Sequence, residues 1–224
     1  MTVITDERTA AFIESMDAKT TPGLERIEKE AQDSGVPIIR RSMRSLMRFI
    51  LETIRPKEIL EIGTATGYSA SFMATYGPED LRIDTIENYE KRIDEAKNNI
   101  ASLGFSEKIN LIEGDADEVL KQLSAKEKRY DMIFVDAAKA QYLSYLQSCR
   151  ILLRAGGVLI SDNVLFDGDI VLSRFAVRRR DRTIHARMRE YLRALSEDEE
   201  FVTTILPIGD GVTLSVKKQA DEKQ

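Results

Sequence analysis

Two carboxylates and an amide stand in this chain where hard-cation chemistry can be built. Asp136 closes the apolar run of FVDAAK, and Asp162-Asn163 closes that of LISDN. Carboxylate and amide oxygens are hard ligands, suited to Mg²⁺ or Ca²⁺ with water or substrate oxygens completing the octahedron. The plainer alternative makes Asp136 a helix cap and 162–163 a turn. Lys139 follows Asp136 closely. It could take a proton from a substrate hydroxyl or hold the resulting oxyanion. As an ordinary surface lysine it would sit at a helix start, where the dipole disfavours a cation.

Further acids stand upstream. Glu87 ends TIE, where α/β cofactor folds bind ribose hydroxyls, and Asp115 lies in EGDA, where it could also be only a helix cap. Before both comes EILEIGTATGY at 58–68. Its apolar run breaks at Gly63, and Gly67 opens a helical pattern. The G-x-x-x-G spacing is not the G-x-G-x-x-G that admits a pyrophosphate. Glu61, just before the turn, would repel phosphates but can accept from hydroxyls or amines. The stretch therefore points to a nucleoside ligand without phosphates.

The elements that must position these residues follow from periodicity. Helical patterns at 5–18, from Thr21-Pro22 to Gly35 and at 38–54 precede the first strand and predict a cap over a sheet. Strands at 58–62, 82–87, 108–113, 130–135 and 157–161 alternate with helices at 67–76, 89–103, 115–124 and 139–153. Such alternation predicts a parallel sheet with right-handed crossovers. A helix at 181–196 precedes runs at 200–206 and 211–217, joined across Pro207 and Gly209-Asp210-Gly211, a hairpin signal. The expected architecture is α/β and Rossmann-like: seven strands, mostly parallel, closed by an antiparallel C-terminal hairpin, as in class I methyltransferases. One domain spans 1–218, with a helical cap at 1–55, a core at 56–218 and a disordered tail at 219–224.

Composition limits the chemistry. The 224 residues are 42% apolar, enough for one sizeable core. No run is long enough for a membrane span and the N-terminus has no signal-peptide order, so a cytoplasmic protein without a membrane partner is expected. The single cysteine, Cys149, excludes an internal disulfide framework and a cysteine metal cluster. The single histidine, His185, makes a Ser-His-Asp triad improbable and reads as a solvated residue among arginines. A net charge of −5 argues against DNA or other nucleic acid spread over the whole surface. Between positions 174 and 193, however, eight arginines (Arg174, Arg178, Arg179, Arg180, Arg182, Arg187, Arg189, Arg193) face only Asp181 and Glu190. That is the signal of a local anionic partner.

Taken together, LEIGTATGYSA, the acid of TIE, EGDA, FVDAAKAQY and ISDNVL resemble the divalent-metal-dependent O-methyltransferases related to catechol and caffeoyl-CoA methyltransferases. The resemblance covers about 36–217. It implies S-adenosylmethionine as cofactor, with Gly63, Thr64 and Ser69 lining it. Glu87 would bind its ribose, Asp115 and Ala116 lie against adenine, and Glu61 orient the methionine end, with Met43 packed nearby. It also implies Asp136, Asp162 and Asn163 as ligands of Mg²⁺ or another divalent cation, Asp136 serving both cofactor and metal sites. Lys139 is the implied base. A homodimer through the N-terminal helices is implied as well, and the apolar faces at 5–18 and 38–54 permit one.

Within that superfamily, DNVLFDGDIV followed by RRRDRTIHARMREYLR is similar to the bacterial branch of tRNA 5-hydroxyuridine methyltransferases. The implied substrate is 5-hydroxyuridine at the tRNA wobble position, and the implied partner is the anticodon stem-loop. O4 and the 5-hydroxyl of that base are vicinal oxygens, as in catechol. Arg40, Arg41, Arg44, Arg178, Arg179, Arg180 and Arg182 are the candidate phosphate contacts. The alternative is a small catechol-type substrate under a lid at 164–182, with Phe166 and Phe175 as the available aromatic walls.

Overall fold

The structure is a computed structural model and describes residues 7–219. The tail expected at 219–224 lies outside these but for Gln219, as do residues 5 and 6 of the first predicted helix. Residues 8–119 form one compact unit and residues 120–219 belong to another.

The first unit holds α1 (Glu7–Ser15), α2 (Pro22–Asp33), α3 (Arg41–Ile54), β1 (Glu58–Ile62), α4 (Tyr68–Tyr76), β2 (Arg82–Glu87), α5 (Glu90–Ser102) and β3 (Ile109–Glu113). Ile59, Leu60, Glu61 and Ile62 of β1 are all fully buried. Burial of both faces is the mark of a parallel strand covered by helices on each side. β2 pairs in parallel with β1 and with β3. The unit ends within α6 (Ala116–Ala125).

α3 corrects one expectation. Its inward stripe is Met43, Met47, Ile50 and Leu51, and Arg44 falls on the same side. Arg44 is buried, donating to Glu28 of α2 at 2.7 Å and to the Tyr68 hydroxyl of α4 at 2.7 Å. It is therefore not a surface phosphate contact. Burial opposes its charge, but the bonds to Tyr68 and Glu28 outweigh that and hold its pKa above the ordinary value. Arg40 and Arg41 remain exposed.

The second unit holds β4 (Tyr130–Val135), α7 (Tyr142–Leu152), β5 (Leu153–Ser161), α8 (Arg182–Ser196), β6 (Phe201–Leu206) and β7 (Val212–Lys217). β4 and β5 are parallel, and β7 lies antiparallel to both β5 and β6, the expected hairpin. The seven strands follow the sheet order β3-β2-β1-β4-β5-β7-β6.

Three local expectations change. The helix predicted at 139–153 begins as a 3-10 turn at Lys139–Gln141 before α7. β5 starts at Leu153, not 157, because Leu153 pairs with Tyr130 across an irregular register that Gly156 accommodates at φ +78°. His185 is buried, not solvated, with Nε2 3.2 Å from the Leu172 carbonyl. Met188, Tyr191 and Leu195 continue its face of α8.

Arg44→Ala leaves the partly buried Glu28 charge without its cation. Its unfolding free energy should fall by about 3 kcal/mol. Arg41→Ala should change it by less than about 0.5 kcal/mol. Urea unfolding followed by circular dichroism measures both.

Candidate active site

The first unit gathers polar groups where β1 and β2 end. Gly63 and Thr64 both donate N–H to the Ile86 carbonyl, at 3.1 and 3.2 Å, which ties the turn after β1 to β2. Gly67 begins α4 at φ +76°, where a Cβ would press on Ala96 of α5 at 3.3 Å. Only glycine meets both demands without strain.

Glu87 sits where the sequence puts a ribose acceptor. Its Oε2 accepts from Ala65 N–H at 2.8 Å, and its Oε1 from Asn88 and Tyr89 N–H at 2.9 and 3.0 Å. Three backbone donors fix the carboxylate and leave one lone-pair direction on Oε2. Ala65 is held at φ +46° in doing so, a conformation that non-glycine residues adopt at a cost.

Glu61 is fully buried and accepts from Thr85 Oγ1 at 2.5 Å. Thr85 has only one proton, so the 2.6 Å contact between Thr64 and Thr85 hydroxyls has Thr64 as donor. A chain Thr64–Thr85–Glu61 thus runs beneath the turn. Sequence reasoning missed Thr85, whose signal was a hydroxyl inside the buried run of β2. Met43 and Ser69 are buried on α3 and α4. Asp115 is exposed and its Oδ1 accepts Glu118 N–H at 3.3 Å, so the capping alternative describes its geometry; Ala116 opens α6 behind it.

The second unit gathers the other cluster. Asn163 Nδ2 donates to Asp136 Oδ1 at 3.0 Å, and Asn163 N–H donates to Asp162 Oδ1 at 2.8 Å. Asn163 has φ +61°, so the chain does turn here, and the turn brings all three side chains together. Tyr142 lies under them, its hydroxyl donating to the Asp162 carbonyl at 3.0 Å. Burial first, then the Asp136 charge, pushes the Tyr142 phenol well up, so it stays a neutral donor. Burial also pushes the Asp136 carboxyl up, while the Asn163 amide and the Lys139 charge pull it down.

Lys139 donates to Asp210 at 2.8 Å, and its Nζ lies 5.0 Å from the Phe166 ring centroid. Asp210 is buried and also accepts Asp167 N–H, while its carbonyl takes Leu165 N–H at 2.8 Å. The Gly211 carbonyl accepts from Val164 N–H at 3.0 Å, and a Cβ on Gly211 would fall 2.1 Å from Leu165 Cγ. Asp210 is the principal residue that sequence reasoning missed. Between two glycines it reads as a turn residue.

Among the described residues, no three of His, Cys, Asp and Glu converge as a metal site. A cation in this cluster would rest on Asp136, Asp162 and the Asn163 amide, a hard donor set with room for solvent or substrate oxygens. Those residues fit such an ion. Cys149 is buried with its thiol pushed up to about 12, which removes it as a nucleophile.

The arginines divide. Arg178, Arg179 and Arg180 are exposed, Asp181 lying 3.8 Å from Arg178 and 3.6 Å from Arg180. Arg182, expected at the RNA, instead braces its own loop by donating to the Val177 and Phe175 carbonyls, each at 3.3 Å. Arg187 and Arg189 likewise donate to backbone carbonyls, at Ala140 (3.1 Å) and Ile170 (3.0 Å).

A Rossmann-like sheet ending in an antiparallel hairpin, with polar clusters at strand ends, defines the methyltransferase class of α/β folds. A family model described as O-methyltransferase matches residues 14–218. The caffeoyl-CoA O-methyltransferase of Medicago sativa is 36% identical over 176 residues, 75% of this chain and 70% of that protein. Tapetum-specific methyltransferase 1 of Arabidopsis thaliana is 34% identical over 188 residues, 81% of this chain and 77% of that one. A solved Staphylococcus aureus structure is 32% identical with a TM-score of 0.87, covering 94% of this chain and all of that one. The S-adenosylhomocysteine-bound methyltransferase PaMTH1 of Podospora anserina is 28% identical with a TM-score of 0.84, covering 95% of each chain. The chain belongs to the O-methyltransferase family and is an S-adenosylmethionine-dependent O-methyltransferase.

Asp210→Asn keeps the shape of the side chain but removes the charge that holds Lys139. Its kcat should fall roughly 10- to 100-fold, as for a displaced catalytic group. Cofactor affinity by calorimetry should fall much less than kcat, since Thr64, Glu61 and Glu87, the expected cofactor contacts, lie in the first unit.

Proposed function

We propose that the protein methylates the 5-hydroxyl of 5-hydroxyuridine at the tRNA wobble position, giving 5-methoxyuridine, with a divalent cation as cofactor. The observation that carries the RNA part is the exposed run Arg178, Arg179 and Arg180, which is spent on neither backbone carbonyls nor a buried acid. Exposed guanidinium groups in a row, two of which share only the single carboxylate of Asp181, suit phosphates, and an anticodon loop offers unpaired bases that proteins splay into pockets. Such a substrate places the enzyme in the cytoplasm.

S-adenosylmethionine supplies a methyl group on a sulfonium, the electrophile. Glu87 offers its remaining lone pair to a ribose hydroxyl, and the Thr64–Thr85–Glu61 chain fixes the turn that faces the methionine end. Asp136, Asp162 and Asn163 would hold a divalent cation, whose positive charge would favour the ionised form of a hydroxyl among two vicinal oxygens such as O4 and the 5-hydroxyl. Lys139, ion-paired as an ammonium, has donors and no acceptor. In that form it holds the developing oxyanion, and the proton leaves to water. Tyr142 keeps the 136–142 and 162–163 backbones in register beneath. The oxygen then takes the methyl group, leaving 5-methoxyuridine and S-adenosylhomocysteine.

A second reading has one observation of its own. The relatives from Medicago sativa and Eucalyptus globulus, at 36% and 34% identity, are named caffeoyl-CoA O-methyltransferases, and the Asp136 cluster suits any vicinal dioxygen. Against it, Phe175 is 84% exposed and walls no ring, and Phe166 is already occupied by Lys139. A homodimer belongs to the same proposal. Phe12 and Ile13 on α1 and Phe49 on α3 are exposed, and a monomer in sedimentation would end that part of it.

The deciding assay uses labelled S-adenosylmethionine and Mg²⁺ with tRNA from a strain lacking this protein, beside a catechol. Label should enter the tRNA at 5-hydroxyuridine; label in the catechol alone would make the small-molecule reading correct. Asp162→Ala and excess EDTA should each abolish transfer, and full turnover in EDTA would refute the cation. Arg179→Glu should weaken tRNA binding and lower the slope of log K against log salt by about one.

A further inference from the structure

We infer that Phe175 is a stacking platform for an unpaired base of the bound RNA, held out by a braced turn inside the arginine run; the inference rests on the tRNA reading above. Among the described residues, Phe175 is the most exposed large apolar side chain, at 84%. A phenyl ring so placed forgoes the stabilisation that burial gives. The backbone around it is nevertheless fixed. Arg182 of α8 donates to the carbonyls of Phe175 and Val177, each at 3.3 Å, and Val177 itself is buried. On the other side, Leu172 lends its carbonyl to Arg189 at 3.4 Å and lies 3.2 Å from His185 Nε2, both on α8. Ala176 N–H closes the turn on the Ser173 carbonyl at 2.9 Å. The turn is anchored before and after the ring, so the ring is presented in a defined place.

Its surroundings say what it is presented to. Arg174, Arg178, Arg179 and Arg180 are all exposed within a few residues of it. The Arg182 guanidinium carbon lies 5.8 Å from the ring centroid. Cations that neutralise phosphates, with an aromatic face between them, are the two components of single-strand recognition. An anionic lipid surface would also attract the cations. Insertion into lipid, however, draws on an amphipathic helix with an apolar face, whereas one ring on an anchored turn offers a fixed plane, which stacking requires.

The test measures affinity for a synthetic anticodon stem-loop carrying 5-hydroxyuridine at the wobble position, by fluorescence anisotropy across a salt series. Phe175→Ala should weaken binding roughly 5- to 150-fold, the range that loss of one stacked base gives. Its salt slope should match the wild type, because no charge is lost. Phe175→Tyr should restore affinity. Wild-type binding with an unchanged Phe175→Ala affinity would overturn the platform and leave the tRNA reading standing. Absence of wild-type binding would overturn the tRNA reading itself. Binding of phosphatidylserine vesicles that depends on Phe175, without RNA binding, would make the ring a membrane wedge and overturn the inference.

Discussion

The ion pair between Lys139 and Asp210 is the contact on which the polar cluster of the second unit depends. Asp210 is buried, and a buried carboxylate is costly unless a cation and further donors satisfy it. Here Lys139 and Asp167 N–H both do so. The same residue's carbonyl and that of Gly211 take N–H groups from Leu165 and Val164. One hairpin turn therefore holds the segment after β4 through a charge and the segment after β5 through its backbone. The two segments carry Asp136 on one side and Asp162-Asn163 on the other. Removing the carboxylate would release Lys139 and the Asp167 N–H while the backbone bonds to Val164 and Leu165 persist, so a residue remote in sequence from the cluster bears on its geometry.

The first unit solves a different problem with neutral groups. Glu61 is as buried as its apolar neighbours, and its Oε2 is satisfied by a hydroxyl whose own acceptor is filled by another. Glu87 is satisfied by three backbone N–H groups. A hydroxyl and backbone N–H groups thus fix both carboxylates in place beside the turn. A nucleoside bearing hydroxyls and an amine is what such acceptors prefer, and phosphates are what they repel. The G-x-x-x-G turn and the acids around it express one preference.

Much of this was legible in the sequence because it depends on period and on residue type. Alternating buried runs and helical patterns specify a parallel sheet, and acids at the ends of those runs fall at strand termini whatever the packing. What escaped depends on partners distant in the chain. Arg44 lies in a helix that begins with the exposed Arg41, and Glu28 and Tyr68, on two other helices, make its burial tolerable. His185 reads as one polar residue among arginines until Met188 and Tyr191 show the stripe it begins. Thr85 and Asp210 look like a strand threonine and a turn aspartate. The start of β5 was late because a register irregularity and Gly156 interrupt the pairing that defines it.

The arginines carry the last step. A tally of positive residues between 174 and 193 treats all eight alike, yet a guanidinium with five donors serves equally to tie loops to a helix. Arg182, Arg187 and Arg189 are used that way, donating to carbonyls of the 139–141 turn and the 166–177 segment. Those bonds are what allow the rest to act. A loop without them would let Arg178, Arg179 and Arg180 sample many arrangements, and ordering them on a ligand would consume the attraction gained. Because three arginines fix the loop, the remaining ones stand in a constant relation to Phe175. On the proposed reading, selectivity among acceptors would belong to this braced segment, while the oxygen-donor cluster would suit the dioxygen of a catechol or of a uridine alike.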